Sequence, residues 1–218
     1  MPLKLSNPSK LNSQAFPLPV KDTVCIGRKD QETGELLEKC SKCYADNRGF
    51  YAMPDTIRVR EDNLKIIQEN IEVFIFFMVG KLNRKKNKDF RWFDSGDIQS
   101  EKMGKDILDI IKKTKHITHW LPSKEYKWWK NILKTKVLPS NVALRISTPF
   151  DNIKPITKFP CTSTTYTKTS SLAYTGFKCP AHIHKETYGK YECGSCRACF
   201  NPAIKNVAYP KRYETKEI

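Results

Sequence analysis

Between Asp62 and Leu82 apolar residues recur at helical spacing. Leu64, Ile67, Ile71, Phe74, Ile75, Met78 and Leu82 share one stripe, and Asp62 is placed to cap it. The stripe predicts a helix that ends at the basic loop Asn83–Lys88. A strand-like run, Phe90–Phe93, follows and closes in Asp94-Ser-Gly-Asp97. The alternation then repeats. Residues 100–114 are amphipathic, with Met103, Ile107, Ile110 and Ile111 on one side. His116–Leu121 reads as a strand stopped by Pro122, and Ser123 is placed to cap a helix carrying Tyr126, Trp129, Ile132 and Leu133. Val142–Ser147 is a third strand, ending at Thr148-Pro149.

Strands spaced roughly 25–30 residues apart with helices between them imply βαβ units and a parallel sheet. The expected fold is α/β, a partial (β/α) barrel or a small parallel sheet, with irregular cysteine-rich metal-binding segments at both ends. One domain is expected over residues 1–218. Residues 1–61 form a proline-punctuated arm with the first cysteines, residues 62–156 the βα core, and residues 157–218, rich in Thr and Ser at first, a cysteine-rich close.

In parallel α/β folds ligands sit at the carboxyl ends of strands. Asp94 ends a strand directly, and Asp94, Asp97, Lys124 and Arg145 are the candidate catalytic lining of such a pocket. Asp97 or Ser100 could equally cap the next helix. The histidines are weak candidates, although His182 and His184 lie where either could replace a cysteine ligand. Walker, dinucleotide-binding, nucleophile-elbow and zinc-protease motifs are absent.

The 218 residues carry 39 Lys and Arg against 23 Asp and Glu, a net charge of +16. That excess points toward a polyanion, nucleic acid or nucleotide, or toward a solvated basic face. The start of the chain lacks an export pattern, and the most apolar stretch, Val73–Val79, is far shorter than the roughly 20 residues of a membrane span. A soluble protein in a reducing cytoplasm is expected, where cysteines bind metals more readily than they form disulfides.

The cysteines change the picture most. Cys193, Cys196 and Cys199 form a C-x2-C-x2-C run, and Cys179 completes a set of four. Such spacing lets a tight loop converge thiolates on a metal centre, and the run resembles that of bacterial ferredoxins. Structural zinc more often uses two separated pairs, so a [4Fe–4S] cluster is preferred to zinc, with a disulfide framework as the third reading. Arg197, inside the loop, could donate to cluster sulfurs or to an anion.

Cys25, Cys40 and Cys43 form a second set, followed by Tyr44. Three thiolates would leave one iron of a [4Fe–4S] cluster open to a small molecule such as S-adenosylmethionine, with Tyr44 and Ser95 expected near that cofactor. The C-x3-C-x2-C spacing of radical-SAM enzymes is absent. Two alternatives stay open: a second closed site completed by Cys161, or a single metal with Cys25 and Cys161 as buried thiols.

Several stretches together resemble the phage gene product 88 family. They are Ser9-Lys-Leu11 with Leu18-Pro19, Cys25, and Cys40-x-x-Cys43-Tyr-Ala45, then Arg91-Trp-Phe-Asp-Ser-Gly-Asp97 with Gln99-Ser100. Trp120-Leu-Pro-Ser-Lys-Glu125, Cys179-Pro-Ala181 and Cys193-Gly-x-Cys-Arg-Ala-Cys199 complete the likeness. The resemblance implies a phage or prophage origin and a host cytoplasmic location. Two function classes follow. One is an iron–sulfur enzyme, radical-SAM-like by analogy of fold, acting on a nucleotide or nucleic acid. The other is a non-enzymatic protein stapled by zinc or a cluster that binds nucleic acid or a host protein.

Overall fold

A computed structural model describes residues 3–21, 25–29, 33–41, 43, 45–46, 49–167, 176–181, 186–187 and 189–210. Seven strands form one sheet with every pair parallel: β1 (Gln14–Phe16), β2 (Asp89–Trp92), β3 (Thr118–Ser123), β4 (Val142–Ser147), β5 (Cys161–Tyr166), β6 (Phe177–Lys178) and β7 (Asn206–Pro210). Their order is β1-β2-β3-β4-β5-β7-β6, so the sheet is laid down in one direction and only its last two strands exchange places. The helices among the described residues are α1 (Glu38–Ser41), α2 (Pro54–Glu69), α3 (Ile71–Asn83), α4 (Glu101–Lys113) and α5 (Tyr126–Thr135).

The strand register sorts side chains onto two faces, because successive residues of a strand point to opposite sides. Phe16 lies beside Trp92, His119 between Phe90 and Val142, and Leu121 beside Leu144. These residues join Phe74, Met78 and Leu82 of α3, Ile107 and Ile111 of α4, and Trp129 and Ile132 of α5 in one core. Burying each such side chain contributes about 1.5–3 kcal/mol. His119 lies wholly inside this layer. The Trp92 indole N–H donates to its Nδ1 (3.3 Å), and its Nε2 meets the Thr114 hydroxyl (3.0 Å). With Nδ1 accepting, the proton must sit on Nε2, and burial holds the ring neutral, its pKa lowered to about 3.

The opposite parity places Ala15, Arg91, Trp120 and Ala143 in register, and Arg145 between Pro122 and Cys161. No described helix of the α4–α5 layer covers this face. The C-terminal segment does: Phe200 packs edge-on against Trp120 (5.8 Å), and the Arg91 guanidinium lies over the Trp120 ring (4.6 Å). Arg145 holds the segment down. Its guanidinium donates to the carbonyls of Thr162, Ala198, Cys199, Asn201 and Ile204 at 2.7–3.3 Å.

The α/β class and the parallel sheet match expectation, and β4 has the expected bounds. The expected Asp62-capped helix is two helices instead. The first starts at Pro54, which suits a first helical position, and the second starts after Asn70, whose side chain accepts from the Val73 N–H (3.0 Å). Asp62 is therefore interior to α2. Pro122 does not stop β3, which runs on to Ser123. Ser123 does not cap α5 either; Glu125 holds the N-cap position, and the Ser123 hydroxyl donates to Asp97 (2.7 Å) and accepts from the Glu125 N–H (3.0 Å).

Candidate functional site

The carboxyl ends of β1, β2 and β3 meet where Asp94-Ser-Gly-Asp97 leaves the sheet. Phe93, at φ 52°, and Gly96, at φ 76°, both stand in the left-handed region, so the chain turns sharply there. A Cβ on Gly96 would come within 2.6 Å of the Leu18 Cβ, so only glycine lets this turn rest on the segment after β1.

Asp94, nearly buried, accepts from Ser6 (3.2 Å), Arg91 (3.3 Å) and Tyr51 (3.5 Å). Ser95 is a tie rather than an open ligand group, because its hydroxyl donates to the Leu18 carbonyl (2.7 Å). Asp97 accepts from the Ile98 N–H, the Ser123 hydroxyl and the Lys124 N–H at 2.7–2.8 Å. It therefore joins the end of β2 to the end of β3. Ser100, which accepts from the Met103 N–H, is the cap of α4. Burial raises the Asp97 carboxyl above its ordinary range, and these hydrogen bonds hold it back.

The described residues between Cys25 and Asp46 are held beside these strand ends by three ties, and one ion pair joins the segment to itself. The Gly27 N–H donates to Glu125 (2.6 Å), and a Cβ on Gly27 would press to 2.8 Å from that carboxylate. Lys39 beside Cys40 donates to the carbonyl and hydroxyl of Thr148, just beyond β4 (both 2.8 Å). Arg28 pairs with Asp46 (3.1 Å), and buried Arg60 of α2 donates to the Ala45 carbonyl (2.9 Å). The ties carry Cys25, Cys40 and Cys43 to the site. Burial pushes the Cys25 and Cys40 thiols up, with the Asp97 and Cys43 charges adding to it and the Lys124 ammonium opposing it. Lys124 opposes the rise at Asp97 and Glu125 too, so one ammonium serves both thiols and both carboxyls. Arg60 stands in the fields of Cys43, Cys25 and Asp94 and so links the cysteines to the second carboxylate.

The second set of cysteines lies on the uncovered sheet face. Cys179, Cys193, Cys196 and Cys199 line one small apolar cavity with Leu11, Phe177, Ala198 and Phe200. Burial raises Cys179 to about 11 and Cys199 to about 12. The Tyr209 hydroxyl and Cys199 Sγ are 2.9 Å apart. Cations surround the cavity. Arg145 lowers Cys199, while Arg197 and Arg91 lower Cys193. Arg197 is itself bonded to Asp89 at the start of β2.

Thus Cys25 and Cys40 each lie within electrostatic reach of Asp97, Lys124 and Cys43, and the four C-terminal cysteines line a separate cavity. Arg145 is not at the strand ends. It lies within β4, fully buried, where four carbonyls of the C-terminal segment and the Thr162 carbonyl of β5 take its donors. Cys161 stands apart as well, its Sγ directed to the Pro202 carbonyl (3.3 Å). Tyr44, His182 and His184 lie outside the described residues. Among the described residues, no three His, Cys, Asp or Glu side chains stand close enough to hold a metal ion as placed. Thiolates are donors of the kind a soft metal takes, and at both places cations oppose the rise that burial gives thiols, Lys124 at Cys25 and Cys40 and Arg145, Arg197 and Arg91 at Cys199 and Cys193.

A family model described as gene product 88 matches residues 21–202. The chain belongs to the phage gene product 88 family. The match begins ahead of Cys25 and ends after Cys199, so the gene product 88 region contains both cysteine sets and the carboxylates between them. No curated protein and no solved structure matches the chain. Among the described residues, no helix of this gene product 88 chain is long and apolar enough to cross a membrane.

Sequence reasoning missed two site residues. Glu125, 6% exposed, is raised by burial and then by Asp97. Its position directly after Lys124 was the available signal. Arg60, 3% exposed, was hidden by starting the helix at Asp62, since a helix from Pro54 puts this cation one turn before the apolar Leu64.

Proposed function

We propose that this phage protein is an iron–sulfur enzyme of the host cytoplasm, built on a partial (β/α) barrel and radical-SAM-like in layout. The observation that carries the reading is the placement of residues 25–46, moored by Glu125, Thr148 and Arg60 over the carboxyl ends of parallel strands. Strand ends are where such folds keep their ligands. The one-way strand order from β1 to β5, with α4 and α5 packed together on one side, is how a (β/α) barrel begins.

Cys25, Cys40 and Cys43 would hold a [4Fe–4S] cluster. Such a cluster would supply an electron and one iron without a protein thiolate, open to the amino and carboxylate groups of S-adenosylmethionine. Within the chain's own chemistry, Lys124 offsets negative charge among Cys25, Cys40, Asp97 and Glu125. Arg60 does the same between Cys43 and Asp94. Asp94 and Glu125 remain as the carboxylates that could accept a hydroxyl or amino group of a nucleotide substrate. Ser95 and Arg145 take no part beyond support. The C-terminal set would hold an auxiliary closed cluster.

A second reading is supported by Arg145. A fully buried guanidinium that bonds only carbonyls stabilises an anionic centre above it, and a Zn(Cys)4 site meets that need as well as a cluster does. The protein would then be a metal-stapled binding protein.

Anaerobic purification with iron, sulfide and zinc determination separates the two. The enzyme reading expects about eight irons per chain with matching sulfide, of which Cys43→Ala removes about half. It also expects S-adenosylmethionine to alter the EPR spectrum of the reduced protein. Zinc without sulfide would sink it, and an unaltered spectrum would remove the cofactor.

A further inference from the structure

A concavity lies at the other end of the sheet from Asp94 and Asp97. It is an open groove of about 920 Å³ between the segment entering β1 and the end of α3. Its lining includes Lys4, Lys81, Arg84, Lys85 and Lys86 and no carboxylate. Among the described residues, Lys81, Arg84 and Lys86 form no ion pair. Lys85 feels Asp89, whose carboxylate is already taken by Arg197. Of the five cations, Lys4 stands in the field of Asp55, and the cluster from Lys81 to Lys86 gives the groove a positive field that favours an anion from outside.

A second observation comes from the same helix. Phe74, Met78 and Leu82 bury one side of α3, while Phe76 is 74% exposed, Phe77 39% and Val73 38%. The Phe76 and Phe77 rings touch edge to face at 5.7 Å. An aromatic pair left in water is costly unless something stacks on it. Phe77, Lys81 and Arg84 follow one another at steps of four and three, hence along one stripe of the helix. At 1.5 Å per residue the stripe from Phe77 to Arg84 covers about 10 Å, the rise of roughly three stacked nucleotides.

We propose that this stripe and groove bind single-stranded nucleic acid, with the backbone phosphates in the basic groove and a base on Phe76–Phe77. Exposed aromatics beside a cationic channel are the requirements of strand binding without sequence preference. Duplex fits less well, because its bases are not free to stack on a side chain. An acidic polypeptide could use the cations but has no planar rings for the phenylalanines. The proposal is independent of the metal chemistry, since none of these residues belongs to either cysteine set.

The test is fluorescence anisotropy of labelled single-stranded and duplex oligonucleotides with anaerobically prepared full-length protein, repeated over a range of salt. Expected is binding that prefers the single strand, with a log–log salt slope of about −2 to −3.5 for three to five phosphate contacts. Lys81→Ala with Arg84→Ala should weaken binding at least tenfold and flatten the slope by about 1.4. Phe76→Ala with Phe77→Ala should weaken single-strand binding by about tenfold with the slope unchanged. Both pairs lie on the surface, and circular dichroism and metal content should match the parent protein. Absence of binding at low salt overturns the proposal. So does equal affinity for duplex with indifference to the phenylalanine changes, or polyglutamate binding as tight and equally sensitive to the same variants.

Discussion

Replacing Arg145 by Met tests the account of how the uncovered sheet face is closed. The guanidinium makes five hydrogen bonds, all to carbonyls, and four of those carbonyls lie between Ala198 and Ile204. A hydrogen bond to a charged group is worth about 1.5–3 kcal/mol, and a buried carbonyl left without a donor costs about 1–3 kcal/mol. Summing five such terms would overshoot, because the segment relaxes and water can reach freed groups. Breaking a buried charged network usually costs about 3–5 kcal/mol, and we expect about 4 kcal/mol here. In a domain of this size each kcal/mol moves Tm by about 2–4 °C, so the loss should be roughly 8–16 °C. Arg145→Lys keeps the charge but offers three donors instead of five, and about half the loss is expected. Thermal unfolding by circular dichroism gives the magnitude. Hydrogen exchange gives the place: amides around Phe200 and Asn201, which donate to Arg197 and Ala198 carbonyls, should lose protection before the β2–β4 core. A Met variant within 1 kcal/mol of the parent, with those amides still protected, would refute the reasoning.

Two further changes address the site and the core. Gly96→Ala forces a Cβ to 2.6 Å from Leu18 at a positive φ, and should cost about 2–4 kcal/mol by urea unfolding, whereas the fully exposed-space Gly34→Ala should cost about 1 kcal/mol or less. His119 is neutral when folded, with its pKa lowered to about 3 by burial, against about 6.5 when unfolded. The unfolded chain therefore binds more protons below pH 6.5. Stability should be intact above that value and fall by about 1.4 kcal/mol per unit as pH drops toward 3. The His119→Gln variant should lose that part of the slope, and an unchanged slope would remove His119 as its source.

How much could be read beforehand depended on where apolar pattern and tertiary role agree. β4 was legible because Val142, Leu144 and Ile146 all face the helices and the run is bounded by Asn141 and Pro149. α4 was legible because Ser100 caps it and its apolar stripe is continuous. β5, Cys161–Tyr166, was not, since the buried positions between Cys161 and Tyr166 are Thr and Ser that bond to neighbours, as Thr162 does with Asn206 (3.0 Å). β1 was hidden by its three-residue length, which only pairing with β2 makes a strand. At the site, Asp97 and Lys124 were visible as polar residues at strand ends. Arg145 was misplaced because a charge in a strand suggests a pocket when no partner is in view. Four of its five partners are backbone carbonyls more than fifty positions on, which carry no trace in side-chain pattern.

The parallel pairing of β1 with β2 also fixes an order of assembly. β2, β3, β4 and β5 follow one another with short crossovers, so each can find its neighbour soon after forming. β1 must close a loop of the kind seen between Ser13 and Asp89, 76 positions apart, before it gains any ladder bonds. It is thus the strand expected to dock late, and the loop it closes is the one that contains Cys25, Cys40 and Cys43. On the proposed metal-binding reading, a metal captured by those thiols before docking would shorten the closure. Refolding in the presence of metal is then expected to load these thiols more fully than adding metal to the folded protein.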